Sequence, residues 1–156
     1  FLDRTATYAE LLADVDRCAA GLATLGLRAG DSITIALPTC PQGVIAFYAA
    51  NRLGAVASMV HPLSTPDELA FYLGVAGSRY ALTLDAFVPA FETARPRTGL
   101  QRLVVAGIGD YLGPAKRLGW WWTRGRHVPR LVPSPGVCRW RELMQERAPP
   151  PPPAGR

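Results

Sequence analysis

Few residues in this 156-residue chain have the type and spacing that chemistry demands. The run Gly107-Ile108-Gly109-Asp110-Tyr111-Leu112-Gly113 follows an apolar stretch, where a dinucleotide loop would sit. A Gly-x-Gly-x-x-Gly turn, however, needs its third glycine where Leu112 stands, and Pro114 would fall inside the helix that must face the pyrophosphate. A glycine-rich connection is the reading that remains. The only lysine, Lys116, follows Gly113-Pro114-Ala115 and belongs to no Gly-x-x-x-x-Gly-Lys-Ser/Thr loop. His61 and His127 are far apart and have no acidic or thiol partners at metal spacing, so no metal site is expected. His61, placed before Pro62 at the end of an apolar run, is read as a residue that ends a strand and finds a backbone partner. Cys18, Cys40 and Cys138 are too dispersed for a Cys-x-x-Cys site and read as small buried side chains in a reducing cytoplasm. No catalytic, cofactor-binding or metal residue is assigned.

One cluster stands out. Trp120, Trp121 and Trp122 are followed by Arg124, Arg126, His127 and Arg130. Tryptophans beside arginines suit a membrane surface, stacking on nucleic-acid bases, or packing against a neighbouring domain. The aromatics are contiguous rather than interleaved with basic residues, which argues against nucleic acid and leaves membrane or interdomain contact. Charge points the same way: residues 1–94 hold five Arg against nine Asp and Glu, whereas residues 95–156 hold twelve Lys and Arg against three. The net charge of +5 is therefore a property of the second part alone, which suits an anionic partner or a basic solvated face.

The elements that would carry these residues alternate. Thr7 and Glu10 form a capping box ahead of Leu11, Val15, Cys18, Leu22 and Leu25, a helical stripe ended by Gly26. Ile33, Ile35 and Leu37 predict a strand stopped by Pro38, and residues 42–53 a helix capped by Gly54. Residues 55–60 read as a strand buried on both faces. Thr65-Pro66-Asp67-Glu68 starts a helix with Leu69, Tyr72, Leu73 and Ala76 inward. Residues 80–84 predict a strand, 86–94 a helix capped by Asp85, and 103–106 another strand. This alternation predicts an α/β fold, with a mainly parallel sheet covered by helices and joined by right-handed crossovers. Beyond Gly107, prolines and glycines break every period until a short helical stretch at 140–146. The expected organisation is an α/β subdomain over 1–106, a loosely structured Gly/Pro/Trp/Arg-rich segment over 107–147, and a disordered Pro-rich tail over 148–156. The apolar content of 49% is that of a globular chain, and no run of about 20 apolar residues offers a membrane span. Phe1-Leu2-Asp3-Arg4 has neither an initiator Met nor a signal-peptide layout, as in an excerpted or processed chain.

Four segments in order, Thr7-Tyr8-Ala9-Glu10-Leu11, Leu25-Gly26-Leu27-Arg28-Ala29-Gly30-Asp31, Ala49-Ala50-Asn51-Arg52-Leu53-Gly54-Ala55-Val56 and His61-Pro62-Leu63 to Glu68-Leu69, resemble the opening of the adenylate-forming, AMP-binding ligases. Among these they are most similar to fatty-acyl-CoA synthetases. The resemblance implies an incomplete N-terminal portion of the ligase large domain, and a parent that activates a fatty acid with Mg-ATP and passes the acyl group to CoA. It also implies that ATP, Mg and CoA belong to the parent and not to this chain, whose partners would be the remainder of that ligase and, weakly, a membrane surface. The family's Thr/Ser/Gly-rich loop ending in lysine is absent, as are its later nucleotide-binding motifs and its C-terminal catalytic lysine. The isolated chain is therefore expected to be inactive; its dispersed cysteines suit a cytoplasmic location, with peripheral membrane contact as the variant. The rival expectation is a non-catalytic module or remnant that docks on a membrane or protein partner.

Overall fold

The computed structural model describes residues 5–107, 110 and 136–146. Helix α1 spans Tyr8–Thr24, strand β1 Ser32–Ala36, α2 Pro41–Arg52, β2 Val56–Met59, α3 Pro66–Ala76 and β3 Tyr80–Leu84. A 3-10 turn at Asp85–Phe87 leads into α4 (Val88–Ala94), then come β4 (Arg102–Ala106), β5 (Val137–Arg139) and the one-turn helix α5 (Trp140–Leu143). The five strands form one sheet in the order β2-β1-β3-β4-β5, and every pairing is parallel. The predicted strands around Ile33, Ala57, Leu82 and Val104 all lie in it.

Local chemistry explains the helix starts. Thr7 accepts a hydrogen bond from the Glu10 amide at 3.2 Å while the Glu10 carboxylate accepts from the Thr7 amide at 2.7 Å. Thr65 and Glu68 repeat the exchange at the head of α3. Each box satisfies amides that a helix N-terminus otherwise leaves without partners.

Two apolar layers sandwich the sheet. On the first face α1, α2 and α5 bury Val15, Cys18, Leu22, Ile45, Ala49, Trp140 and Leu143 against Ile33, Ile35, Leu82 and Val104. On the second, α3 and α4 bury Leu69, Leu73 and Phe91 against Ala36, Ala81, Leu103 and Val105. β1 and β3 are central, so even Thr34 and Thr83 are fully buried, and their hydroxyls bond to Ser78 Oγ at 2.9 Å and to the Ala36 carbonyl at 3.4 Å.

Four expectations need correction. β2 is not buried on both faces: among the described residues it pairs with β1 alone and stands at the sheet edge, with Val56 59% and Met59 56% exposed. An apolar run of this length cannot distinguish a central strand from an edge that something else covers. Tyr72 is 40% exposed rather than inward, because Leu69 and Leu73, with Ala70 beside them, form the face of α3 that packs on the second layer. Asp85 caps no helix: it is the first residue of the 3-10 turn, its carboxylate accepts from the adjacent Ala86 amide at 2.8 Å, and α4 begins only at Val88, with Phe87 at its N-cap. Finally, part of the segment expected to be loose belongs to the sheet. β5 pairs with β4 in parallel, and Trp140 is 2% exposed.

The return of the chain at residue 136 relies on two glycines. Gly136 has φ 84° and packs against the Gln101 backbone, and its carbonyl accepts from the Leu103 amide at 2.8 Å. In α1, a Cβ on Gly21 would stand 2.5 Å from the Leu143 carbonyl oxygen, so a side chain there would push α5 away. Among the described residues no helix is long and apolar enough to cross a membrane.

Candidate functional site

In a parallel sheet, ligands collect beyond the carboxyl ends of the strands, where adjacent strands send their connections to opposite faces. Here that place lies between β1 and β3. The connection leaving β1 runs through α2 on the first face, and the one leaving β3 through α4 on the second.

Three strand ends furnish this edge. After β1, Leu37-Pro38-Thr39-Cys40 leads into α2, whose buried Gln42 donates from Nε2 to the Gly107 carbonyl at 3.3 Å. After β3 comes Asp85, half-buried; burial lifts its carboxyl above the usual range, and the negative charge of Asp110 adds to the effect. After β4, the Gly107 amide donates to Asp110 Oδ2 at 2.7 Å, and Arg141 Nε of α5 donates to Asp110 Oδ1 at 2.6 Å. Gln42 and Asp110 thus tie the loop after β4 to α2 on one side and to α5 on the other.

Two clefts flank these ties. One, of about 320 Å³, is lined by Leu37, Pro38, Cys40, Val44, Phe47 and Met59 and is mainly apolar. The other, of about 330 Å³, lies between α1 and α5, lined by Asp14, Arg17, Asp110, Trp140, Arg141 and Gln145. A polyphosphate needs preorganised cations and amide donors. Among the described residues the crevice offers two carboxylates, the Gln42 amide bonded to the Gly107 carbonyl, and Arg141 paired with Asp110. These residues do not supply the donors and cations that a triphosphate needs, and no reaction step is assigned to them.

His61 lies past the carboxyl end of β2, exposed, with Nδ1 accepting from the Leu63 amide at 3.2 Å. This is the backbone partner expected for a residue ending a strand. Burial makes all three cysteines weaker acids, favouring the thiol over the thiolate. Burial raises Cys18 far above its ordinary value, raises Cys40, and pushes Cys138 up to about 11. The cluster Trp120, Trp121, Trp122, Arg124, Arg126 and Arg130 lies outside the described residues, as do Lys116 and His127. Gln42, Asp85 and Asp110 carry no joint signal in the sequence, because three separate strand ends supply them.

The segments that carried the resemblance have structural work at the opposite edge. The Gly30 amide donates to the Gly54 carbonyl at 2.9 Å and the Val56 amide to the Asp31 carbonyl at 2.8 Å, locking the entries of β1 and β2 together. The Asp31 carboxylate accepts from the Arg28 amide at 2.9 Å and pairs with Arg79 at 2.8 Å, tying the entry of β3 to the same turn. These bonds position strands.

The family model described as AMP-binding enzyme matches residues 1–123. A long-chain-fatty-acid–CoA ligase of Bacillus subtilis is 30% identical over 112 residues, 72% of this chain and 20% of that protein. An acetyl-coenzyme A synthetase of Deinococcus radiodurans is 35% identical over 132 residues, covering 80% and 20% respectively. Among solved structures, a benzoate CoA ligase from Burkholderia xenovorans shares the fold at TM-score 0.71 and 22% identity, over 97% of this chain and 25% of that one. The anthranilate CoA ligase AuaEII, solved with anthranoyl-AMP, does so at TM-score 0.65 and 25% identity, over 75% and 23%. Matched by the family model over residues 1–123 and spanning about a fifth of the first curated relatives, this chain belongs to the AMP-binding enzyme family.

Proposed function

We propose that this chain is the N-terminal scaffold portion of an AMP-forming fatty acid–CoA ligase and does not run the reaction alone. In the parent, the acid would take AMP from Mg-ATP with release of diphosphate, and the acyl group would then pass to CoA with release of AMP. The observation that carries this reading is the placement of the family-like segments. Backbone groups of Gly30, Asp31, Gly54 and Val56 bond to one another at strand entries and the Asp31 carboxylate bonds to the Arg28 amide and Arg79, and among the described residues the carboxyl edge offers carboxylates where a triphosphate would need cations. Transition-state charge on phosphates calls for donors already in place, and Lys116 has no Ser/Thr/Gly run beside it. The preference for a fatty acid rests on the segments resembling fatty-acyl-CoA synthetases, with the Bacillus subtilis relative in support.

The test is ATP-dependent diphosphate release with medium- and long-chain fatty acids. The purified chain should show none above background, and turnover would overturn the reading. Coding sequence that continues into a Ser/Thr/Gly-rich loop with lysine would support the parent activity; an immediate stop would favour a remnant. The proposed setting is the cytoplasm, with Trp120, Trp121 and Trp122 at a membrane interface and Arg124, Arg126 and Arg130 over anionic head groups. Each such arginine contributes about 1 kcal/mol, a salt-sensitive attraction too weak for permanent anchoring. Equal flotation with neutral and anionic vesicles, or unchanged binding after replacing all three tryptophans by alanine, would make the segment an interdomain insert instead.

A further inference from the structure

We infer that two copies of this chain pair through β2, antiparallel about a twofold axis at Ser58, and so join their five-stranded sheets edge to edge. The pairing needs only the geometry of that edge and not the ligase reading. Strand edges in free-standing sheets are normally guarded by charge, proline, a bulge or shortness, since unpaired backbone invites another strand. The two edges of this sheet differ in that respect. β5 has three residues and ends on exposed Arg139, whereas β2 reads Val56-Ala57-Ser58-Met59, with no charge or proline. Among the described residues β2 pairs with β1 alone, in an unbroken register.

The backbone sets the register. The Val56 amide donates to the Asp31 carbonyl at 2.8 Å and the Val60 amide to the Ile35 carbonyl at 3.0 Å, so residues 56, 58 and 60 turn their polar groups toward β1. Ala57 and Met59 turn theirs to the open edge. An antiparallel copy with Ser58 opposite the partner's Ser58 sets Ala57 opposite the partner's Met59, and each such pair exchanges two N–H to O=C bonds. A slip of one residue would oppose a committed position to an open one and lose that exchange. The side chains fit the same register. Val56 meets the partner's Val60 on the α3 side of the sheet, and Met59 meets the partner's Ala57 on the α2 side. Met59 also lines the apolar cleft with Phe47 and Tyr48, the latter 54% exposed, which extends the apolar patch over the flank of α2. A twofold interface is one patch meeting itself, so a charge within it would face its own copy. Between Asp31 and Asp67 the only Asp, Glu, Lys or Arg is Arg52, whose Nε lies 3.1 Å from Asp16 Oδ1. In a chain that is 19% charged, the neutral stretch contains β1, α2 and β2, the elements that form this edge.

Sedimentation velocity on the 156-residue chain tests the pairing. The chain should be a dimer at about 0.1 mM, a concentration at which even weak specific interfaces assemble. Met59→Lys, at an exposed position, should weaken the dimer by about tenfold or more, because it carries a charge into the paired edge. Ser58→Cys gives a second readout. Residues opposite one another at a non-hydrogen-bonded site lie about 4.5 Å apart at Cα, within disulfide reach. Mild oxidation should therefore turn Ser58→Cys into a covalent dimer with an unchanged circular dichroism spectrum. The native chain should stay unlinked, and so should Val56→Cys, whose opposite residue is the partner's Val60. A native chain that is monomeric at that concentration would overturn the inference. So would a dimer indifferent to Met59→Lys, a dimer dispersed by W120A/W121A/W122A instead, or growth into open-ended aggregates, since a twofold pairing closes. A Ser58→Cys dimer that links no faster than Val56→Cys would sink it as well.

Discussion

Replacing Gly136 by alanine should detach the last strand of the sheet. Gly136 sits at φ 84°, and a Cβ built there overlaps the Gln101 carbonyl oxygen and comes within 2.6 Å of Arg95 Nη2. The left-handed backbone alone costs an alanine about 1–2 kcal/mol. Arg95 can swing aside, but the Gln101 oxygen belongs to the backbone leading into β4. Relief therefore requires β5 to move, which breaks the 2.8 Å bond from the Leu103 amide to the Gly136 carbonyl, a further loss of about 1 kcal/mol. The sum is about 2–3 kcal/mol before any exposure of Trp140, against a total of about 5–15 kcal/mol for a domain. Urea denaturation followed by circular dichroism would measure it, with Gly99→Ala as the control. A Cβ on Gly99 meets nothing within 4 Å, while the substitution makes the same change to the unfolded chain. Hydrogen exchange at the Leu103 amide should accelerate in Gly136→Ala alone. A Gly136→Ala protein within about 0.5 kcal/mol of the control, with Leu103 still protected, would refute the reasoning.

Three more outcomes are expected. Thr65→Ala removes one half of the α3 capping box and should cost about 1 kcal/mol in urea denaturation, with the fold retained. Asp31 and Asp85 should have opposite pH signatures. The Arg28 amide and Arg79 hold the Asp31 carboxyl below its unfolded value, so its stabilisation is complete above about pH 4 and is lost as pH falls through the folded pKa. Asp85 is held above its unfolded value by burial, so stability falls as pH rises from the unfolded toward the folded pKa. Asp85→Asn should therefore raise the urea midpoint at pH 7 and Asp31→Asn lower it; the reverse order would contradict both assignments. In the native chain at pH 8, iodoacetamide should modify Cys138 before Cys18, which should react only on unfolding, as peptide mass spectrometry would show.

Local patterns in the sequence determined which segments of the first 106 residues form helices and strands. Thr7 with Glu10 and Thr65 with Glu68 announce helix starts through bonds three residues long, and the apolar periods of α1, β1 and β3 carry their own signal. The same is true of His61, whose partner is the Leu63 amide two residues on. The negative results on phosphate loops also needed only residue identities. Tertiary structure alone decided the rest, because the deciding interactions join residues far apart in the chain. Whether residues 55–60 were central or marginal depended on which strands flank β1, and a short apolar run has the same composition in either place. β5 was illegible because it has three residues and its place depends on Gly136 meeting Gln101. The carboxyl-edge ties of Gln42 to Gly107 and Arg141 to Asp110 span 65 and 31 residues, distances over which no periodicity or local motif operates.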